Sequence, residues 1–378
     1  MGKPRKIRVD FRKNRSVRRR GGDLTRSHGA DPDALADLAT SERLSGKGDL
    51  TRRRTVVVDD DAPGAATWRG QVLHVHGLES VVRRDDDASL VRCTTRRVLR
   101  TMAIVDRHPI VAGDRVTVRP ENPGADDDAA RLATIHSVEP RSSELARSSR
   151  GRRHVIVANV EQLLVVTSAA EPALKPGLVD RMLVAAESAG IDAIVCINKA
   201  DLAPPSSIVP LAGVYARMGY RVVLCSTVTG RGIDRLRAEL RGRVTAVVGQ
   251  SGVGKSSILN CIEPGLALPV GAVSRENDKG RHTTTTARLI PCSFGGTFVD
   301  TPGVRQFQLW EVVPAEVPAA FRDLRPLANL CRYPDCTHDH EDGCAVKEAV
   351  ADGLLDARRW ESCRHMAKNL DDLPEDDD

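Results

Sequence analysis

Apolar and polar positions alternate in two different rhythms along this chain of 378 residues. From Trp68 to Val138 the apolar runs are short and strand-like: Gln71 to His76, Ser89 to Thr95, Arg115 to Val118 and Leu132 to Val138. Turn-forming stretches such as Val111-Ala-Gly-Asp114 and Asn122-Pro-Gly-Ala125 separate them. Several short strands so close together predict a small β-barrel. An OB-fold is favoured, with an SH3-like barrel as the alternative. From about residue 154 compact apolar strands (Leu163 to Val166, Ala193 to Ile197, Val222 to Cys225, Val244 to Val248) alternate with helical spacing over Leu178 to Ala189 and Ile233 to Leu240. That alternation predicts a largely parallel sheet covered on both faces. Beyond residue 313, Ala315 to Leu330 and Val346 to Leu370 read as helices flanking a Cys/His cluster.

These rhythms divide the chain into a basic, largely disordered arm (1–65), an OB-fold barrel (66–145), an α/β domain (152–312), a helical domain (313–370) and an acidic tail (371–378). The arm carries ten Lys or Arg in its first twenty residues against one acid, Asp10, so a polyphosphate backbone is its natural partner. With 41% hydrophobic residues there is enough apolar surface for real cores, and with 3% aromatics these must be filled by Val, Leu, Ile and Ala. No apolar run approaches the roughly 18 residues needed to span a bilayer, and the basic start lacks the apolar segment of a secretory signal. A membrane-bound or secreted protein is not expected. Five of the nine cysteines are scattered singly and three cluster near the C-terminus, which suits a reducing cytoplasm and one metal site.

The segment Gly249, Gln250, Ser251, Gly252, Val253, Gly254, Lys255, Ser256, Ser257 contains the pattern GxxxxGK[ST] between a predicted strand and a predicted helix. Glycines let backbone N–H groups turn inward around a β-phosphate; a lysine at position 255 neutralises β- and γ-phosphate charge, and the Ser256 hydroxyl can ligate Mg²⁺. Asp300-Thr-Pro-Gly303 ends another strand, with Asp300 placed to hold Mg²⁺ through water and the Gly303 amide to report a γ-phosphate. Asn198, Lys199, Ala200 and Asp201 form NKxD, whose Asp201 carboxylate can accept the two N–H groups that guanine offers and adenine lacks. Ser226 follows the next strand, where the loop backing a guanine base belongs. Asn198 precedes Lys255, the reverse of the order in ordinary GTPases, so the chain reads as circularly permuted.

Between the phosphate motifs lies Gly280-Arg-His-Thr-Thr-Thr-Thr286. A threonine of this stretch would complete the Mg²⁺ shell, with Thr284 and Thr285 preferred. Position 304 is Val where a water-orienting Gln is usual, so intrinsic hydrolysis should be slow; His282 is the candidate substitute. Cys331, Cys336, His338 and Cys344 offer three thiolates and an imidazole, the donor set of a closed structural zinc site. His340 is a competing ligand and Cys363 a more distant one.

Taken together, GQSGVGKSS, GRHTTT, DTPGVRQF, the preceding NKAD and the Cys/His set resemble the ribosome small-subunit-dependent GTPase A family over about residues 66 to 365. The resemblance implies an OB-fold, a circularly permuted P-loop α/β GTPase domain and a helical zinc-binding domain. It also implies that Val304 is normal for the group. The function it implies is GTP hydrolysis late in maturation of the 30S subunit, stimulated by that subunit and its 16S rRNA and coupled to release of the protein. A cytoplasmic monomer that binds GTP and GDP with Mg²⁺, and one Zn²⁺, follows from it. An RNA-binding module with a regulatory GTP site and negligible turnover is the alternative, and intact Lys255, Ser256 and Asp300 favour the enzyme.

Overall fold

A computed structural model describes residues 5–10, 44–45, 53–58, 67–95, 110–120, 132–149, 152–268, 287–300 and 314–368. Within the basic arm the described residues are β1 (Arg5–Asp10), β2 (Leu44–Ser45) and β3 (Arg53–Val58), which pair antiparallel in the order β1-β3-β2. The rest of the arm and the acidic tail lie outside the described residues. The chain divides into two compact units, the first comprising residues 1–71, 77–110 and 116–139 and the second everything from Pro140 onward together with Val72–His76 and Val111–Arg115.

The barrel consists of β4 (Trp68–His76), β5 (Glu79–Arg84), β6 (Leu90–Thr95), β7 (Arg115–Pro120) and β8 (Leu132–Val138). Their order is β4-β5-β6-β8-β7, with β7 returning to β4. The third and fifth strands, β6 and β8, run parallel, whereas β5–β6 and β7–β8 are antiparallel. That connectivity is the OB-fold and removes the SH3-like alternative. Small side chains fill the interior, among them Val82, Val91, Cys93, Val116, Val118 and Ile135, as the shortage of aromatics requires. The hydrophobic pattern misses β5, because only Val81 and Val82 are apolar in Glu79–Arg84 and the pairing partner supplies the rest of the strand's definition.

In the second unit, β9 (Glu144–Ser149) and β10 (Arg152–Ala158) form a hairpin ahead of the α/β layer. The strands β11 (Gln162–Ser168), β12 (Asp192–Asn198), β13 (Arg221–Leu224), β14 (Val244–Val248) and β16 (Thr297–Asp300) lie parallel in the order β13-β12-β11-β14-β16. The strand β15 (Arg288–Pro291) adds antiparallel to β16. β11 is buried along its whole length, and its side chains alternate between two cores. Leu163 and Val165 pack with Val195 and Ile197 against α1 (Pro176–Ser188) and α2 (Pro205–Arg217). Leu164 and Val166 pack with Ile194 and Cys196 against α3 (Ile233–Leu240) and α4 (Lys255–Ile262). The helix α2 escapes the pattern because Pro204, Pro205 and Pro210 mark it as loop; Pro205 occupies the first turn, where the missing N–H has no intrahelical partner to lose.

The C-terminal segment corrects an expectation. Ala315 to Leu330 is not one helix but a 3-10 turn (Pro314–Glu316) followed by α5 (Val317–Ala320) and α6 (Arg325–Ala328), separated by extended backbone at Phe321. Pro318 and Pro326 each sit in the first turn of a new helix, and neither could continue a preceding one. Val346 to Leu370 likewise divides into α7 (Ala345–Ala351) and α8 (Ala357–Lys368), with Gly353 at φ 72° between them. The C-terminal core joins Val317, Phe321, Leu324, Val346, Cys363 and Met366 to Val184 of α1.

Candidate functional site

All five parallel strands end on one edge of the sheet, and the sequence motifs follow those ends. The strand β14 leads into the loop 249–254, and α4 starts at Lys255. A side chain at Gly249 (φ 148°) would collide with the Val166 carbonyl of β11, and one at Gly254 (φ 92°) with the Asn198 amide, so both positions demand glycine. Val253, 1% exposed, pins the loop into the α3–α4 core, while Ser251 and Gly252 face solvent. Lys255 Nζ donates to the Gly249 and Gln250 carbonyls at 2.7 Å each, which holds the ammonium against the loop. Ser256 and Ser257 occupy the first turn of α4, and Asp300 ends β16 exposed. Backbone N–H groups at a helix start, with a cation above them, make a phosphate cradle.

The guanine-type motif is joined directly to this loop. Asn198, 1% exposed at the end of β12, donates from Nδ2 to the Val253 carbonyl at 2.9 Å. Its Oδ1 is buried without a hydrogen-bond partner among the described residues. Lys199, in the left-handed region at φ 55°, donates from Nζ to the Glu171 carbonyl. Ala200 N donates to Cys225 O at 3.0 Å and Cys225 N to Ile197 O at 2.8 Å, so Asn198–Asp201 and the loop at Ser226 form one unit. Asp201 itself is exposed. Ser226 is fully buried; its Oγ accepts Thr229 N at 3.1 Å and serves its own turn. Gly303, Val304, His282 and Thr283–Thr286 lie outside the described residues.

No motif announced the loop 169–175. Glu171 supplies the carbonyl that receives Lys199, and the Pro172 carbonyl accepts Ser168 Oγ at 2.7 Å. The contacts are made by backbone oxygen, which any residue type would provide, so the sequence holds no signal for them.

The second site is the cluster Cys331, Cys336, His338 and Cys344, whose ligand atoms all lie within 4.8 Å of one another. Cys331 Sγ and Cys344 Sγ are each 3.5 Å from His338 Nδ1 and 3.9 Å from each other. A tetrahedral ion bound at ordinary Zn–S and Zn–N distances would place those atoms about 3.6 Å and about 3.8 Å apart. The separations among Cys331, His338 and Cys344 therefore match those of a tetrahedral divalent ion, and Cys336 Sγ lies within 4.8 Å of the other three donors. His340 is exposed and Cys363 belongs to the core, which removes both competing ligands. His338 takes φ 60°, and its carbonyl accepts Trp360 Nε1 at 2.7 Å. Burial pushes the Cys336 thiol up to about 12 and lowers the pKa of the His338 imidazole, so a bound cation has to displace a proton from Cys336 but meets a neutral ring at His338.

A parallel sheet with a phosphate loop, an NKxD motif ahead of it in the chain and the two hydrogen-bonded together defines a circularly permuted P-loop GTPase. A family model described as RsgA GTPase matches residues 138–310. A small ribosomal subunit biogenesis GTPase of Saccharophagus degradans is 38% identical over 84% of this chain and 92% of its own length. One of Ectopseudomonas mendocina is 44% identical over 71% of this chain and 76% of its own. The crystal structure of YjeQ from Thermotoga maritima matches with TM-score 0.67 at 30% identity, covering 82% of this chain and 100% of that one. YloQ, described as a circularly permuted GTPase, matches with TM-score 0.64 at 27% identity over 83% of this chain. The chain belongs to the RsgA GTPase family, and its activity is hydrolysis of GTP. Among the described residues no helix is long and apolar enough to cross a membrane.

Proposed function

We propose that this GTPase acts in the cytoplasm, as a monomer, on the small ribosomal subunit during its late maturation, and that the subunit stimulates hydrolysis and thereby the protein's own release. Relatives named as small ribosomal subunit biogenesis GTPases support this, as does a barrel of a type often found on RNA. In this reading Gly249–Ser257 cradles the phosphates through backbone N–H groups, and Lys255 neutralises the charge that builds on the β- and γ-oxygens in the transition state. Ser256, Asp300 and Thr284 would hold Mg²⁺, which supplies further charge neutralisation on those oxygens. Asp201 selects guanine, Ser226 holds the turn that backs the base by accepting Thr229 N, and the Gly303 amide reports the γ-phosphate. Cys331, Cys336, His338 and Cys344 would hold one structural Zn²⁺. With Val304 in place of a water-orienting side chain, turnover is slow until the subunit orders the attacking water, with His282 the candidate within the chain. One observation carries the nucleotide assignment: the hydrogen bond from Asn198 to Val253 places the base motif and the phosphate motif a fixed distance apart.

Turnover measured with and without 30S subunits tests the proposal. Stimulation by about tenfold or more is expected; equal rates would favour an RNA-binding protein with a regulatory nucleotide site. Base selection is tested separately. Asp201→Asn replaces an acceptor oxygen by a donor and removes two charge-assisted hydrogen bonds, so GTP affinity should fall by about a hundredfold. Xanthine nucleotides, which present an oxygen where guanine presents its amino group, should gain in competition against labelled GDP. Unchanged guanine preference would remove Asp201 from the base site.

A further inference from the structure

Asp180 on α1 is buried at 1% exposure, and its partner comes from the far end of the chain. Arg359 of α8, itself 3% exposed, donates from Nη1 to Asp180 Oδ1 at 2.5 Å. The same guanidinium reaches both oxygens of Asp323 through Nε at 3.0 Å and Nη2 at 2.9 Å, and lies 4.3 Å from the centroid of the Phe321 ring. Tyr215 of α2 donates its hydroxyl to Asp180 Oδ1 at 3.0 Å and approaches the Pro176 carbonyl at 3.3 Å. Removing one member of such a buried set leaves an uncompensated charge, so α1, α2 and α8 keep one relative arrangement.

Arg359 links two parts of the unit that its neighbours in sequence also hold. Trp360, the next residue, bonds the His338 carbonyl, and Arg364 and Lys368 hold the Asp339 carboxylate at 2.6 and 2.5 Å. One helix thus grips the Cys/His knot and α1 together. At the other end, α1 begins at Pro176, one turn before Asp180, and emerges from the loop 169–175. That loop receives Lys199 on the Glu171 carbonyl, and Pro172 Cδ lies 3.7 Å from where a Cβ on Gly252 would stand. The loop therefore abuts both the base motif and the phosphate loop.

We infer that Arg359 is a positioning residue for the guanine nucleotide: by clamping Asp180 it fixes the start of α1, and with it the loop 169–175 that supports Lys199 and Gly252. The inference rests on the guanine-nucleotide site described above. It assigns Arg359 no contact with the nucleotide and no part in the bond cleavage. Its effect is on binding, so it appears in affinity and KM rather than in kcat.

In the full-length chain, Arg359→Met is expected to weaken binding of a fluorescent GDP analogue by about fivefold or more. The KM for GTP should rise in parallel while kcat stays unchanged. Arg359→Lys keeps the charge but cannot grip Asp180 and Asp323 at once, so its affinity should fall between the two. Tyr215→Phe removes only the hydroxyl and leaves the ion pair, and about a twofold loss of GDP affinity is expected. Unaltered GDP affinity in a folded Arg359→Met chain overturns the inference, and so does a fall in kcat at constant KM. Should Arg359→Met fail to fold, unaltered GDP affinity in a folded Arg359→Lys chain overturns it instead. A wild-type chain without affinity for guanine nucleotides would overturn the nucleotide site itself, an outcome distinct from all of these.

Discussion

Lys255→Ala is expected to lower GTP turnover by about a thousandfold or more, equivalent to roughly 4 kcal/mol of transition-state stabilisation. The ammonium stands against the Gly249 and Gln250 carbonyls at the start of α4, where the phosphate charge would be greatest. An alanine leaves the backbone amides in place but removes the only full positive charge in the GQSGVGKSS stretch. The fold should survive, because the two hydrogen bonds lost are partly exposed and contribute about 1 kcal/mol each. Single-turnover hydrolysis with thermal unfolding of the same preparation measures both. Normal turnover in the folded variant would exclude Lys255 from the phosphate site.

Removing an ion held by the proposed Cys331, Cys336, His338 and Cys344 site should have the second large effect, and it should be local. The described C-terminal helices α5, α6 and α7 span four, four and seven residues, too short to persist without tertiary support. A structural zinc contributes an apparent 10–16 kcal/mol or so in small domains, far more than such helices supply. Chelation, or Cys344→Ser at the buried ligand, should therefore open residues 331–344 to protease while the parallel sheet stays protected. Affinity for the ion should fall as pH falls, since the ion must displace a proton from Cys336, whose thiol burial pushes up to about 12. Equal protease resistance of the metal-loaded and chelated chains would show that the Cys/His set has no structural role.

The strands of the sheet were legible because burial on both faces writes continuous apolar runs, as in Gln162–Ser168 and Asp192–Asn198. Elements with half-polar or proline-rich sequences were not. Glu79–Arg84 is a strand because β6 pairs with it, and Pro205–Arg217 is a helix because Ile208, Leu211 and Tyr215 pack on the sheet. Proline had the opposite effect in the C-terminal domain, where Pro318 and Pro326 divide a stretch whose apolar spacing reads as one helix.

Candidate local chemistry was legible in the sequence alone. A phosphate loop needs its glycines, lysine and serine within one short segment, and so do NKxD and a run of metal ligands, so residue type and spacing carry the assignment. The reversed order of Asn198 and Lys255 even revealed the permutation. What only the tertiary structure decided were the contacts between segments remote in the chain. It brought Asn198 onto Val253, settled His338 over the competing His340 beside the three thiols, and set Arg359 against Asp180. Such pairings are chosen by the packing of whole elements. For Arg359 and Asp180 neither partner's neighbourhood in sequence carries a feature that marks it, because the compensating charge is supplied from the other side of the core.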